Sequence, residues 1–310
     1  MDYFPDSFAT ANGVALAAGT LGMMVIPPFA EWLVALYTWR GALFLLGAVT
    51  FNICVLGALL RTYKASFHSK TGYRQAPHKD DMDADEATEN TDGVPGAIGG
   101  KCKALCRTLL DRFDPKLFVT EPRFSLFQVP SFLAGAVFSG WQLFLVPHAV
   151  ALGYGNQKSS FLSTFAGLGS LLGRLTSGFL TDHRLIKPMD LFSLACLLCG
   201  VSCMIDLLAV SSFTALSGLA TLTGLAIGYT YPLTFAVTHD LIAEERRMAA
   251  FGWQYLSLGA GQIFGGAVSG WTYDMTNNYE VVFLMYGGLS FAVVPFMLAI
   301  RFTEWLCPTS

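Results

Sequence analysis

Arg174 stands in a stretch that is otherwise small or apolar, FLSTFAGLGSLLGRLTSGFL, within residues 159–181. A guanidinium near the middle of a bilayer costs roughly 2.5–3.5 kcal/mol on insertion scales, so it persists where it faces a cavity or a partner. It is a permanent cation with a fixed fork of N–H donors, which suits a carboxylate or another organic anion. Four residues earlier, one helical turn away, the chain has Ser170 rather than a carboxylate. Arg174 therefore has no counter-ion on its own helix face. That makes it a freer anion receptor and a poor proton relay. The competing reading is that Arg174 extends to the cytoplasmic surface or pairs with carbonyls at a helix end. His148, Tyr229, Tyr231 and Phe235 are further candidates to line a substrate cavity, and each is equally readable as packing.

Other reactive residue types form no site. Cys196, Cys199 and Cys203 share one helix face at i, i+3 and i+7, and read as small packing residues rather than a metal site. Asp81, Asp83 and Asp85 match the opening spacing of a calcium loop. Glu86 stands where that loop needs Gly, and Asp92 where it needs Glu. The run is read as a solvated linker. The seven cysteines are odd in number and fall in apolar or cytoplasmic segments, so no disulfide framework is indicated. The terminal CPTS lacks the aliphatic pair of a prenylation box. No His-Glu-x-x-His, no Gly-x-Ser-Gly and no paired intramembrane Asp occurs, so the chain does not read as an enzyme. No cofactor or metal is called for, and nothing points to nucleic acid.

The elements that position these residues are membrane helices. The 310-residue chain is 53% hydrophobic and only 13% charged, where a soluble domain carries about 25% charged residues. Eight apolar segments, near 11–35, 39–60, 124–148, 159–181, 190–210, 212–236, 249–273 and 280–301, are each long enough to cross roughly 30 Å of hydrocarbon. Pro27-Pro28 should kink or break the first late in its course, and Pro147, Pro232 and Pro295 should bend others. Gly261, Gly265, Gly266 and Gly270 form two overlapping small-xxx-small pairs, and Gly224 with Gly228 a third, for close helix approach. The expected fold is an all-α membrane bundle of about eight transmembrane helices.

Orientation follows from basic residues. With residues 61–123 cytoplasmic, both termini and the loops holding Arg184, Lys187, Arg246 and Arg247 are cytoplasmic too, and sixteen of the nineteen Lys and Arg residues lie inside. Residues 62–118 change sharply in composition, from basic to acidic (DDMDADEATE) to GVPGAIGG and back to basic. Low hydrophobicity and clustered charge make this a disordered cytoplasmic loop. It divides the chain into residues 1–61, with two spans, and residues 119–310, with six.

Three places carry a family resemblance. YFPDSFATANGVALAAGTLG (3–22) resembles the signature before and within the fifth span of the monocarboxylate transporter family of the major facilitator superfamily, through Tyr3, Phe4, Ala11, Gly13, Ala15, Ala17, Ala18 and Gly19. The signature's basic cluster is replaced by Pro5, Asp6 and Ser7, and the match continues at Trp39-Arg40-Gly41. GRLTSGFLTDHR (173–184) resembles the eighth span with the superfamily's inner-loop motif, Gly178-x-x-x-Asp182 followed by the basic Arg184. Gly270-Trp271, Tyr273-Asp274, Thr276, Tyr279, Phe283 and Gly287-Gly288 resemble the segment joining the last two spans.

The resemblance implies a major facilitator bundle of which this chain holds spans five to twelve: the last two spans of the N-terminal half and all six of the C-terminal half. It implies a secondary transporter at the plasma membrane that moves monocarboxylates or related organic anions by alternating access, as symport with H+ or another ion. It also implies contact with membrane lipid and, for some members, a single-span glycoprotein partner. Arg174 falls at the family's carboxylate-binding position, and Ser170 where proton-coupled members have Asp. Asp182 and Arg184 would latch one conformation. The expectation is anion recognition without the proton coupling of the lactate-type members. The alternative is a truncated, non-transporting form that acts as an assembly or regulatory partner of a full-length transporter.

Overall fold

The computed structural model describes residues 8–59, 114–209 and 212–306, and these are helical, with no strand among them. The helices are α1 (Phe8–Leu59), α2 (Leu117–Thr120), α3 (Pro122–Ala151), α4 (Asn156–Asp182), α5 (Pro188–Ala209), α6 (Phe213–Leu241), α7 (Arg247–Thr276) and α8 (Tyr279–Leu306), with a 3-10 turn at Glu244–Arg246. In hydrocarbon every backbone polar group must be satisfied within the chain, and long helices do this segment by segment. Among the described residues, five stretches are long and apolar enough to cross a membrane: Leu16–Cys54, Pro122–Ala151, Pro188–Asp206, Phe213–Leu241 and Tyr279–Thr303. α4 and α7 are as long but fall outside that set, because Gly, Ser, Thr and Gln occupy positions that apolar residues hold elsewhere. The chain is a multi-pass membrane protein. The calcium-like run at 81–92, Cys102, Cys106 and Cys307 lie outside the described residues.

α1 corrects the expectation about its prolines. Its backbone stays helical through Pro27 and Pro28 and breaks instead at Thr38, with φ 61° and ψ 172°. A proline removes the N–H that would bond the carbonyl four residues earlier. For Pro28 that carbonyl belongs to Met24, and the Thr164 hydroxyl of α4 donates to it at 2.8 Å. The freed acceptor is thus satisfied by a neighbouring helix. At the true break, Gly41 lets the chain turn tightly, since a Cβ there would lie 2.7 Å from the Tyr37 Cβ. Pro147, Pro232 and Pro295 lie inside the continuous helices α3, α6 and α8.

The described residues up to Ala42 form one compact unit with those from Asp114 onward, while Leu43–Leu59 belong to a second. The packing boundary therefore falls within residues 1–61, at the turn that follows Thr38. Packed structure also begins before 119. Leu117 is fully buried and clusters with Phe124, Ile242 and Ala250. Arg246 grips Asp114, Nη2 to carboxylate at 2.6 Å, and donates to the Thr120 hydroxyl at 2.7 Å.

Within the first unit α4 packs along α6, α3 along α7, and α5 lies between α6 and α8. Glycines set how close these helices come. On the α4–α6 seam, a Cβ at Gly169 or Gly224 would overlap the Thr221 or Ala166 carbonyl, and one at Gly173 or Gly228 would overlap the backbone of Leu225 or Ser170. On the α3–α7 seam the same holds for Gly135, Gly261 and Gly265. Lipid supplies no hydrophobic drive between helices, so such close approach and its dispersion contacts hold the bundle. Gly270 departs from the sequence expectation: nothing lies within 4 Å of a Cβ there, so its pair with Gly266 makes no seam.

A direct contrast follows. Gly228→Leu forces α6 away from the Ser170 backbone and lowers the thermal midpoint by several degrees, on the order of 1–3 kcal/mol of overpacking. Gly270→Leu leaves the midpoint within about a degree of the parent, since a surface substitution stays within about 0.5 kcal/mol. Thermal unfolding of both variants in detergent checks the pair.

Candidate anion-binding site

Arg174 is held deep inside the first unit, 6% exposed. Gly173 precedes it, and the absence of a side chain there lets α6 lie against α4. The guanidinium carbon sits 5.5 Å from the centre of the Tyr231 ring of α6. From the other side α1 covers it: Nη1 donates to the Leu16 carbonyl at 2.5 Å, and Gly19 leaves room beside that nitrogen. Leu16 lies within α1 rather than at its end, and the arginine does not reach an aqueous surface. Among the described residues no carboxylate pairs with Arg174. Its Nε is buried with no hydrogen-bond partner, as is the Ser170 hydroxyl one turn earlier on the same helix face. Buried donors left open in this way are uncommon, and each asks for a partner. A π face and a single carbonyl are neutral company for a buried cation. An anion would supply both the missing charge and the missing acceptors.

The sequence candidates separate into different surroundings. Tyr231 and Tyr229 are two residues apart, about 200° around a helix at 3.6 residues per turn, so both cannot face Arg174. Tyr231 does. The Tyr229 hydroxyl instead accepts from Thr176 at 2.9 Å. Phe235, one turn beyond Tyr231, is buried against Tyr255 and Phe251 of α7 at centroid distances of 4.6 and 5.8 Å. His148 is buried near the end of α3, against Asp206 of α5 and the rings of Tyr279 and Phe283 of α8. At ~1.5 Å per helical residue it lies roughly 20 Å along the bundle from Arg174, so a small anion does not touch both. Cys196, Cys199 and Cys203 are free thiols buried in the core.

The inner-loop motif closes α4. Gly178 is buried and Asp182 is the last helical residue. Arg184 takes a left-handed φ of 54°, and its N–H bonds the Thr181 carbonyl at 3.0 Å, which turns the chain out of the helix.

Two glutamines of α7 were not singled out from the sequence. Gln262 donates to the Tyr231 hydroxyl at 2.6 Å, so α7 holds the ring that lies under Arg174. Gln254 is fully buried and accepts from Gln128 of α3 at 3.2 Å and from Thr238 of α6 at 3.3 Å. The available signal was their spacing: amides eight residues apart in a helix otherwise made of small and apolar residues.

A family model described as Major Facilitator Superfamily matches residues 1–206 and 191–304. The chain belongs to the Major Facilitator Superfamily. Its similarity to curated relatives is modest and extends over nearly its whole length. Monocarboxylate transporter 12 of Xenopus laevis is 25% identical over 289 residues, covering 92% of this chain and 60% of that protein. Monocarboxylate transporter 12-B of Danio rerio is 28% identical over 300 residues, covering 92% and 59%. Monocarboxylate transporter 13 of Rattus norvegicus is 27% identical over 290 residues, covering 94% and 59%. The chain thus spans about three-fifths of the length of these relatives.

Support of Tyr231 by Gln262 is measurable within this superfamily member. Gln262→Leu leaves the half-buried hydroxyl without its donor and costs about 1–3 kcal/mol. Adding Tyr231→Phe to that variant recovers part of the loss. A double-mutant cycle in thermal unfolding reads the coupling directly.

Proposed function

We propose that this chain carries the anion-binding site of a secondary transporter, rather than an enzyme's active site, and that its substrates are monocarboxylates or related amphipathic organic anions. The observation that carries this reading is Arg174: buried, without a carboxylate partner, and with Nε open. The names of the relatives, monocarboxylate transporters 12 and 13, support the same substrate class. Arg174 binds the carboxylate, Ser170 stands beside it with an unpaired hydroxyl, and Tyr231, braced by Gln262, orients the guanidinium. Alternating access then moves the α1 arm relative to α4, since the Leu16 carbonyl accepts from Nη1 of the same guanidinium. Tyr229 and Phe235 support α6 from its other contacts. With Ser170 where a coupling carboxylate would stand, transport does not use an Arg–Asp proton relay. The distribution of Lys and Arg favours cytoplasmic termini and inner loops, with Asp182 and Arg184 at the inner end of α4, in the plasma membrane.

The test has a binding arm and a flux arm. Purified protein in nanodiscs gains thermal stability with an aliphatic monocarboxylate, and vesicles containing it accumulate the labelled compound. Arg174→Ala abolishes both effects. Arg174→Lys, which keeps the charge but loses the fork, weakens binding about tenfold, near 1.4 kcal/mol. Uptake unchanged in Arg174→Ala removes Arg174 from the site.

Ser170→Asp supplies the missing counter-ion. It competes with the substrate carboxylate for Arg174, so the apparent affinity falls severalfold at neutral pH and recovers as the new carboxyl is protonated in acid. Uptake measured between pH 5 and pH 8 checks the direction.

A further inference from the structure

His148 and Asp206 form a second polar centre that the anion site does not use. His148 is 2% exposed and Asp206 is 6% exposed. Nδ1 and Oδ2 lie 3.4 Å apart, across from α3 to α5, an ion-pair distance, and neither ring nitrogen makes a hydrogen bond. The pair sits where α3 and α5 end and α8 begins. Phe283 covers one side of the imidazole, with ring centres 4.7 Å apart. The titratable groups that face it are Cys203 on α5, Tyr279 and Glu280 on α8, and Tyr273 of α7 behind Tyr279. Glu280 is exposed to solvent and is the only other charged group among them.

We propose that His148 and Asp206 are a proton-binding site, separate from Arg174, that holds one proton while the ends of α3, α5 and α8 are packed together and releases it when they open to water. The charge count carries the argument. With no proton the pair is a lone buried carboxylate, and with two it is a lone buried imidazolium; either is an uncompensated charge in an apolar wall. With one proton the pair is neutral overall, whichever residue carries it.

Once open to water the same groups titrate near their ordinary values, about 6.5 for His and 3.9 for Asp. Above about pH 6.5 the opened pair therefore holds much less than one proton. The packed state binds more protons than the opened state, so acid favours packing and rising pH favours opening. The limit is a tenfold change in the opening equilibrium per pH unit for one proton. The site stands on its own geometry and does not depend on the substrate of Arg174.

Two measurements on the full chain in nanodiscs decide it. In protein labelled with 15N-histidine, the His148 signal is identified by its loss in His148→Gln. Its titration depends on Asp206, and Asp206→Asn moves its midpoint down by at least one pH unit. In thermal unfolding, the parent loses several degrees between pH 6 and pH 8, and Asp206→Asn abolishes that loss and weakly reverses its sign, because only the opened imidazole then takes up a proton. If the single variant fails to fold, the His148→Gln, Asp206→Asn double variant, a neutral amide pair, gives a flat profile. The proposal is overturned if the His148 signal titrates identically with and without Asp206, or if parent and double variant show parallel pH profiles.

Discussion

The close backbone contact of α4 with α6 is the constraint on which the rest of the bundle depends. Four glycines, Gly169, Gly173, Gly224 and Gly228, bring the two helices together where any side chain would meet a carbonyl. At that separation the ring of Tyr231 reaches Arg174, and Thr176 reaches Tyr229 on the neighbouring face. The seam sets the register between the helices, and the register decides which aromatic residue accompanies the charge. α7 then joins through side chains, with Gln262 on Tyr231 and the Gln254 amide between α3 and α6.

Arg174 is a charge without a counter-charge in an environment that disfavours it. The chain tolerates it through weak neutral contacts: a carbonyl at one nitrogen and a π face beneath. Such an arrangement leaves binding energy available to a ligand, because an arriving anion replaces poor partners with a charge-assisted one. The Leu16 carbonyl links this electrostatic state to the α1 arm. The same arm is tied a few turns away by Thr164, which uses the acceptor freed by Pro28. Two side chains of α4 thus hold backbone acceptors of α1, and one of those side chains is the proposed ligand-binding residue.

The second polar centre lies at one end of the same bundle and has the opposite character. Among the described residues Arg174 has no carboxylate partner, whereas His148 and Asp206 have each other. The first is proposed to accept an anion and the second to keep a proton, with roughly 20 Å of helix between them at ~1.5 Å rise per residue.

Much of this was legible in the sequence. The run lengths determined that the chain is helical and crosses the membrane repeatedly, and the single arginine in a run of small residues drew attention to the place of the proposed site. The Gly224–Gly228 and Gly261–Gly265 spacings marked real seams. Hydropathy could not tell which face of a helix meets another helix, because lipid-facing and core-facing residues are both apolar. That is why Tyr229, Tyr231 and Phe235 were indistinguishable, why Gly270 looked like a contact, and why Gln262 passed unnoticed. The prolines of α1 looked like a break because their lost hydrogen bond is a local fact, while its repair by Thr164 is not. His148 and Asp206 are 58 residues apart in the sequence, so only the packing of α3 against α5 and α8 could make them a pair. Local composition determined the helices and the charge. Tertiary structure alone decided the partners, because partnership here depends on helix rotation and close approach, which no stretch of one helix encodes.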